Sequence, residues 1–453
     1  MSTTMSATYW ETLSAKLQGT LVLRGDSSYD DIRKVWNGMI DVHPAAIARC
    51  QSVADVQQAI AFGREHGIEL SIRGGGHSAA GLAMVENGLV IDLSEMNKVV
   101  VDPQAKTAEA QGGATWGQFD QATTEHNLAT TGGVISTTGV GGLTLGGGIG
   151  TLMRVHGLAC DNLMVAQVVL ASGEVVTASE TSHPDLFWAL RGGGGNFGVV
   201  TEFTFRLQPM SGLFGGMVVH PRDNARAVVQ NFRDVCSSAP DALGLFCGLL
   251  YSPDGQPIAA YLPWYYGSEE EAAEPMRQIR SFGPPLADMT APTPYVAEQT
   301  ALDEGFPPGM QVYWKSHFLS GLPDEAIDII VEYANVAPSP LSATLLELMG
   351  GAVSRVASDA TAFAHRDAPF NLAIIARWLD PAEADENIAW ARGFFDAMQP
   401  FASGVYVNYL GIGDDQARVA DAYAGDTYQR LREVKRQYDP ENLFHRNQNI
   451  PPA

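Results

Sequence analysis

The chain is poor in positive charge. It carries 28 Lys and Arg against 51 Asp and Glu over 453 residues, a formal net charge of −23. Such a field repels phosphate backbones and anionic membrane surfaces, which argues against nucleic acid and membranes as partners. Long apolar runs are also missing. No stretch approaches the roughly 20 apolar residues of a membrane span, and the opening MSTTMSATYWETLSAKLQG has no signal-peptide core. Cysteine is scarce. Cys50, Cys160, Cys236 and Cys247 include no C-x-x-C pair, so neither a metal site nor a disulfide framework is expected, and a reducing cytoplasm fits. There is no internal repeat and no low-complexity tract. The apolar content of 45% is that of a folded soluble protein. The length suggests two or three domains.

What the chain has in abundance is glycine, and it is unevenly spread. Three glycine-rich stretches fall in the first half: RGGGHSAAG (73–81), the run from Gly132 to Gly150, and RGGGGNFG (191–198). Between them the pattern is strand-rich. A helix opens at Ser52, with Asp55 placed as in a capping box, and stops at Gly67. IELSI is a strand that runs into Arg73 and the first glycines. GLVIDL follows, then a hairpin turning at Asp102-Pro103 and a second turning at Ser172-Gly173. A helix spans about Thr115 to His126. Residues 1–212 therefore read as one strand-rich α+β unit. From 213 to 400 the glycine clusters vanish, and amphipathic helices such as ARAVVQNFRDVC and DEAIDIIVEYANVA alternate with strands such as FNLAIIARW. This reads as a second α+β unit, an antiparallel sheet covered by helices. Residues 401–453 form a tail that returns to the first unit.

GGGNFG (193–198) satisfies the dinucleotide fingerprint G-x-G-x-x-G, but in the wrong context. A Rossmann fingerprint follows a strand and opens a helix; this one follows a helix and opens the strand GVVTEFTF. RGGGHSAAG has a different character. Backbone N–H groups without side chains can cradle an anion, Arg73 adds charge, and His77 stands directly after the glycines. A plain turn with a surface histidine explains one such loop. Three in one unit point to a long, flat, charged ligand.

RGGGHSAAG, GVGGLTLGGGIG, GLACDNL, GNFGVVTEFTF, YVNYLG and PENLFHRNQNI occur in that order. Together they resemble the bacterial type of the berberine-bridge-enzyme-like oxidases, within the vanillyl-alcohol oxidase/p-cresol methylhydroxylase superfamily of flavoproteins, from about residue 36 to the end. The resemblance implies an FAD-binding domain, with a substrate domain over it. It implies that the pyrophosphate lies on Arg73, Gly74, Gly75, Gly76, Ser78 and Gly81. His77 would be bonded to the flavin 8α-methyl. Thr137, Thr138, Gly139, Gly142, Gly146 and Gly150 would pass the pyrophosphate and isoalloxazine. Asn162 and Asn408 would also touch the cofactor, and Val199 and Val200 would meet its adenine end through their backbone. Some relatives attach flavin through a cysteine as well. Its position here falls at Ile135, while Cys160 lies beyond that segment and is expected to be a buried thiol. One histidyl link to FAD is therefore expected.

On the substrate side, strand alternation in YVNYLG puts Tyr406 and Asn408 on one face. Tyr409 corresponds to the tyrosine that serves as base in plant relatives. It titrates near pH 10 when free and needs a cationic or hydrogen-bonding neighbour to act at neutral pH; both tyrosines could instead simply pack. Asn371 stands where plant relatives often carry a glutamate, and cannot take a proton. Glu347 is the nearest acidic alternative, placed as a possible strand-edge residue. His317 is a possible pocket residue, and His365 and Arg366 are expected at the domain interface. The resemblance implies an oxidase that passes hydride from a small-molecule alcohol or amine to flavin, then electrons to molecular oxygen. A dehydrogenase with another acceptor, a nicotinamide-dependent reductase and a non-catalytic carbohydrate-binding protein remain alternatives.

Overall fold

The fold is known from a computed structural model that describes residues 7–414 and 416–453. The strand Leu70–Arg73 sits at one edge of a four-stranded sheet with Leu89–Asp92, Ala46–Arg49 and Thr20–Leu23. Its first three strands run parallel and the last pair antiparallel. The helix Val53–His66 makes the crossover from Ala46–Arg49 to Leu70–Arg73. Such strands are covered on both faces, and Leu89–Asp92 is accordingly buried along its whole length. Ser52 caps that helix by accepting from Asp55 N at 3.2 Å, and Gly67 ends it at φ +60°. The expected reciprocal box does not form. The Asp55 carboxylate turns away to the N–H groups of Gln18, Gly19 and Gln51 and ties down the N-terminal segment.

A second sheet is antiparallel, in the order Val99–Asp102, Thr107–Gln111, Val199–Arg206, Leu163–Val169, Val175–Ser179. Both expected hairpins are present. In the first, Asp102 accepts from Gln104 and Ala105 N–H and so builds the turn with its own side chain. In the second, Gly173 supplies a φ of +87°. Beside this sheet, the helix Trp116–Thr124 is capped by a reciprocal box between Thr115 and Gln118.

The third sheet has ten strands, all antiparallel. It begins at Leu213 and takes in the short strand Ala402–Gly404. The helices Ala225–Cys236, Asp324–Asn335 and Ala384–Met398 pack their apolar stripes on one face, around Phe232, Ile330, Phe394 and Trp378. The opposite face presents Val312, Ala343, Leu345, Ala373 and Ile375 to Trp36 from the first half of the chain. The tail packs Leu431, Val434 and Ile450 into the core beneath the second sheet.

RGGGGNFG is a structural latch. Gly192 and Gly194 both donate to the Leu145 carbonyl. Asn196 donates to Gly193 and Gln448 and accepts from Ile450 N, while its carbonyl receives Lys435 Nζ at 2.7 Å. Lys435 and Asp439 are themselves a fully buried pair at 2.6 Å. These contacts seat the tail, and Gly192 and Gly194 turn the chain at φ of +131° and +74°.

Arg366 links the halves of the molecule. Its buried guanidinium makes two 2.7 Å bonds to the Asp161 carboxylate, with Thr361 as a further acceptor. His365 Nε2 meets the Asp421 carbonyl. Removing one partner of a buried pair strands the other charge in low dielectric. Asp161→Ala is therefore expected to destabilise the fold by about 3–5 kcal/mol in denaturant titration; a loss under about 1 kcal/mol would contradict this account.

Candidate active site

Gly74–Gly76 follow the strand Leu70–Arg73 and run against the second glycine loop. A Cβ built on Gly75 would lie 2.4 Å from Gly139 N, and one on Gly139 would lie 2.4 Å from Gly75 N. Neither position tolerates a side chain, so two bare backbone segments lie side by side. Gly76 and Gly81 have φ of +70° and +72°. Gly142 has nothing within 4 Å of its Cβ position and is exposed. This strip of bare backbone fits a phosphate-bearing group such as FAD. Ser78 accepts from Leu82 N at 3.4 Å and closes a local turn. Arg73 sends its guanidinium to the Ile32 carbonyl, leaving Nε buried and without a partner. On the strand Val199–Arg206, ladder pairing with Thr107–Gln111 stops at Glu202, so Val199 and Val200 pair on one side only.

Two glycines of the second loop, Gly146 and Gly150, are also tightly packed against the protein itself. A Cβ on Gly146 would meet Asn408 Oδ1 at 2.0 Å, and one on Gly150 would meet the Gly132 carbonyl at 1.6 Å. Asn162 uses its amide on the His156 and Leu158 carbonyls. Asn408 donates to Leu143 O at 3.0 Å and to Tyr406 Oη at 2.8 Å.

His77 stands where these loops meet. Its Nε2 lies 2.8 Å from Thr137 Oγ1, and its Nδ1 3.5 Å from Thr138 Oγ1. The ring stacks on Trp36, centroids 5.2 Å apart and 19° between planes. Burial pushes its pKa down to about 4, opposed by the charge of Asp303. The imidazole is thus neutral at pH 7, with a lone pair on one nitrogen. Ile135 opens the turn that carries Thr137 and Thr138, with Thr138 N donating to its carbonyl. Cys160 is fully buried, and desolvation drives its thiol pKa far up, away from the reactive thiolate. If the flavin is held by one histidyl link, Cys160→Ala is expected to leave the flavin fluorescence of a denaturing gel unchanged; loss of that signal would make Cys160 an attachment site.

YVNYLG is not a strand. Val407–Tyr409 is a turn of 3-10 helix, so face alternation does not apply. Tyr406 points into the glycine loop, where its buried hydroxyl oxygen accepts N–H bonds from Gly148 at 2.8 Å and Ile149 at 3.3 Å. Tyr409 turns to the large sheet and donates to Glu347 Oε1 at 3.1 Å. Its neighbour is an anion rather than a cation, and burial together with the Glu347 charge holds the phenol pKa well above its usual value. Glu347 is not at a strand edge. Its strand, Ala343–Leu348, lies between Leu243–Tyr251 and Phe370–Trp378. The register sets Glu347 opposite Asn371, whose Nδ2 donates to Oε2 at 2.7 Å. Desolvation raises the Glu347 pKa to about 7, against the lowering effect of the Asn371 and Tyr409 hydrogen bonds. The sequence carried the two halves of this pair, but only the register brings them together.

Trp314 packs on Tyr409, centroids 4.7 Å apart. Trp314 Nε1 and Asn371 Oδ1 are buried without hydrogen-bond partners, which leaves a donor and an acceptor beside Tyr409 and Glu347 for a bound molecule. Trp36, stacked on His77, belongs to the same apolar cluster as Trp314 and Tyr409, so the two ends of the site share one wall. His317 lies elsewhere. It stacks on Phe395 at 4.0 Å and bonds that residue's carbonyl, between the large sheet and the helix Ala384–Met398.

The sequence profile described as "FAD binding domain" matches residues 44–179, and the one described as "Berberine and berberine like" matches residues 405–451. The chain belongs to the berberine-bridge-enzyme-like family of FAD-linked oxidoreductases, on a fold of the vanillyl-alcohol oxidase type. Among its relatives, (R)-6-hydroxynicotine oxidase of Paenarthrobacter nicotinovorans is 31% identical over 452 residues, covering 96% of this chain and 97% of that protein. Xylooligosaccharide oxidase of Thermothelomyces thermophilus is 31% identical over 456 residues, covering 92% and 89%. The crystal structure of 6-hydroxy-D-nicotine oxidase from Arthrobacter nicotinovorans superposes with a TM-score of 0.88 at 29% identity, covering 96% of this chain and 98% of that one.

Proposed function

We propose that this protein is an oxidase that removes a hydride from a carbon bearing an alcohol or amine in a small molecule, with Glu347 as the base acting through Tyr409. The observation that carries this reading is the buried Glu347 carboxylate, held between Asn371 and Tyr409 with a pKa near neutrality. A general base works best when its pKa lies close to the operating pH. The Tyr409 oxygen accepts the substrate O–H or N–H proton as Tyr409 passes its own proton to Glu347 Oε1. Asn371 keeps the carboxylate oriented through Oε2. Tyr406 and Asn408 hold the loop against which this pair sits. When bound along the glycine loops, FAD would supply the hydride acceptor, and oxygen would be the final electron acceptor, giving hydrogen peroxide. His77, neutral and fixed by Thr137 and Trp36, is the residue that would hold the flavin covalently.

Relatives named for an alkaloid and for a sugar both cover nearly the whole chain, so an amine and a carbohydrate alcohol are the two substrate classes to screen. The test is peroxide release over such a panel, followed by stopped-flow mixing of the reduced protein with oxygen and with a quinone. Reduction by a panel member and fast reoxidation by oxygen are expected. Reoxidation by quinone alone makes the protein a dehydrogenase. Flavin that no panel member bleaches removes the catalytic reading.

A further inference from the structure

The segment 295–306 belongs to the half of the chain that builds the large sheet, yet its side chains bind the start of the second glycine loop, from Thr130 to Ser136. Tyr295 Oη donates to the Thr130 carbonyl at 3.3 Å. Gln299 Nε2 donates to the Gly133 carbonyl and to Asp120 on the neighbouring helix. The Asp303 carboxylate takes both hydrogens that Ser136 offers, the N–H at 2.8 Å and the hydroxyl at 2.5 Å. Beyond it, Phe306 offers its carbonyl to the Trp36 indole, the ring stacked on His77. Arg377 anchors the segment to the sheet by binding the Gly305 carbonyl and lying 4.0 Å over the Phe306 ring. The strap thus holds both groups that flank His77, the Thr137 turn on one side and Trp36 on the other.

Ser136 is the residue before Thr137, and the turn it belongs to is closed by Thr138 N donating to the Ile135 carbonyl. Ser136 also offers its carbonyl to Gly117 N at 2.8 Å. Pinned at its N–H, hydroxyl and carbonyl, Ser136 leaves the Thr137 hydroxyl little freedom around His77 Nε2. A charge-assisted pair of bonds from one carboxylate is the strongest of these constraints.

We propose that Asp303 is a positioning residue for flavin attachment, holding Ser136 so that Thr137 fixes the His77 ring in the orientation from which it bonds the flavin. In that step an N–C bond to the 8α carbon would form as one C–H bond of the methyl group and the imidazole N–H are lost as protons, and molecular oxygen would take the two electrons left behind, giving hydrogen peroxide. The proposal rests on the reading of His77 as the covalent link. It assigns to the substrate-side half of the chain a part in tethering the cofactor, not only in binding substrate. Misplacing a reacting group by about 1 Å costs on the order of 100-fold in rate, and that is the size of effect expected when the clasp is cut.

The test follows covalent FAD incorporation. Flavin-free protein from riboflavin-starved cells is mixed with FAD, and in-gel flavin fluorescence is recorded against time, alongside total bound flavin and the thermal midpoint. Wild type should build up the fluorescent band. Asp303→Leu should still fold and bind FAD, with a somewhat lowered midpoint, but form the band on the order of 100-fold more slowly. Asp303→Asn, which keeps an acceptor for the Ser136 N–H, should fall between. Thr137→Ala should be slow too, and combining it with Asp303→Leu should add little, since both act on one contact. Should the Leu variant fail to fold, the Asn variant and Ser136→Ala decide by the same rates. Wild type with no band overturns the His77 reading and the role of Asp303 with it. A band in wild type together with wild-type rates in the folded Asp303 variants overturns the role of Asp303 alone.

Discussion

Glu347→Gln is expected to slow flavin reduction by substrate by about 10²–10⁴-fold while flavin stays bound. Gln keeps the shape and can still pair with Asn371 and Tyr409, so the loss isolates the proton acceptor. The pH profile carries a second signature. A base acts deprotonated, and burial raises Glu347 to about 7. Wild-type kcat/KM should therefore fall about tenfold per pH unit below that value, and Glu347→Gln should remove this limb. Tyr409→Phe tests the relay separately. The Tyr409 hydrogen bond lowers the Glu347 pKa, so its loss should move the limb to higher pH as well as slow reduction. A Tyr409→Phe profile that slows without moving would mean that the phenol and carboxylate do not act as a pair. Unchanged reduction in Glu347→Gln would remove Glu347 from the mechanism.

His77→Ala is expected to abolish covalent flavin completely: a denaturing gel of the variant should show no fluorescent band, while wild type does. The physical basis is the neutral, half-buried ring. With its pKa lowered to about 4 by burial, the imidazole keeps a lone pair throughout the neutral range. Incorporation of FAD into flavin-free protein should then be flat across neutral pH and fall only in acid. A fluorescent band surviving in His77→Ala would place the link on another residue, and a wild-type band that washes away on denaturation would leave the flavin non-covalent.

The contrast between these two residues shows what a reader of the sequence could see. His77 was visible because its signal is local: three glycines, then an imidazole, at the end of a strand. Glu347 stood out only as the nearest acidic alternative, because nothing within LELMGG distinguishes a buried, paired carboxylate from an edge residue. It becomes distinctive only when Ala343–Leu348 is seen between two long strands and Asn371 falls opposite it. YVNYLG misled for a related reason. Its alternation suggests a strand, but Tyr406 is drawn into the glycine loop by the Gly148 and Ile149 N–H groups, and the chain turns as 3-10 helix. Tertiary hydrogen bonds outweighed a weak local preference there.

Glycine is the other instructive case. The sequence alone marks where side chains are forbidden, but not by what. At Gly75 and Gly139 two backbones meet; at Gly146 the obstacle is Asn408; at Gly192 it is the backbone of Phe363, at Gly193 Ala189 and Leu431, and at Gly198 the strand residues Val168 and Val169. The sequence by itself determined the α+β class, the hairpins, the capped helices and the place of His77, because each depends on neighbours in the chain. The tertiary structure alone decided the Glu347–Tyr409 pair and the strap from Asp303 to Ser136, because both join groups separated by 62 and 167 residues. No local pattern records which distant donor a carboxylate will find once the strands have taken their register.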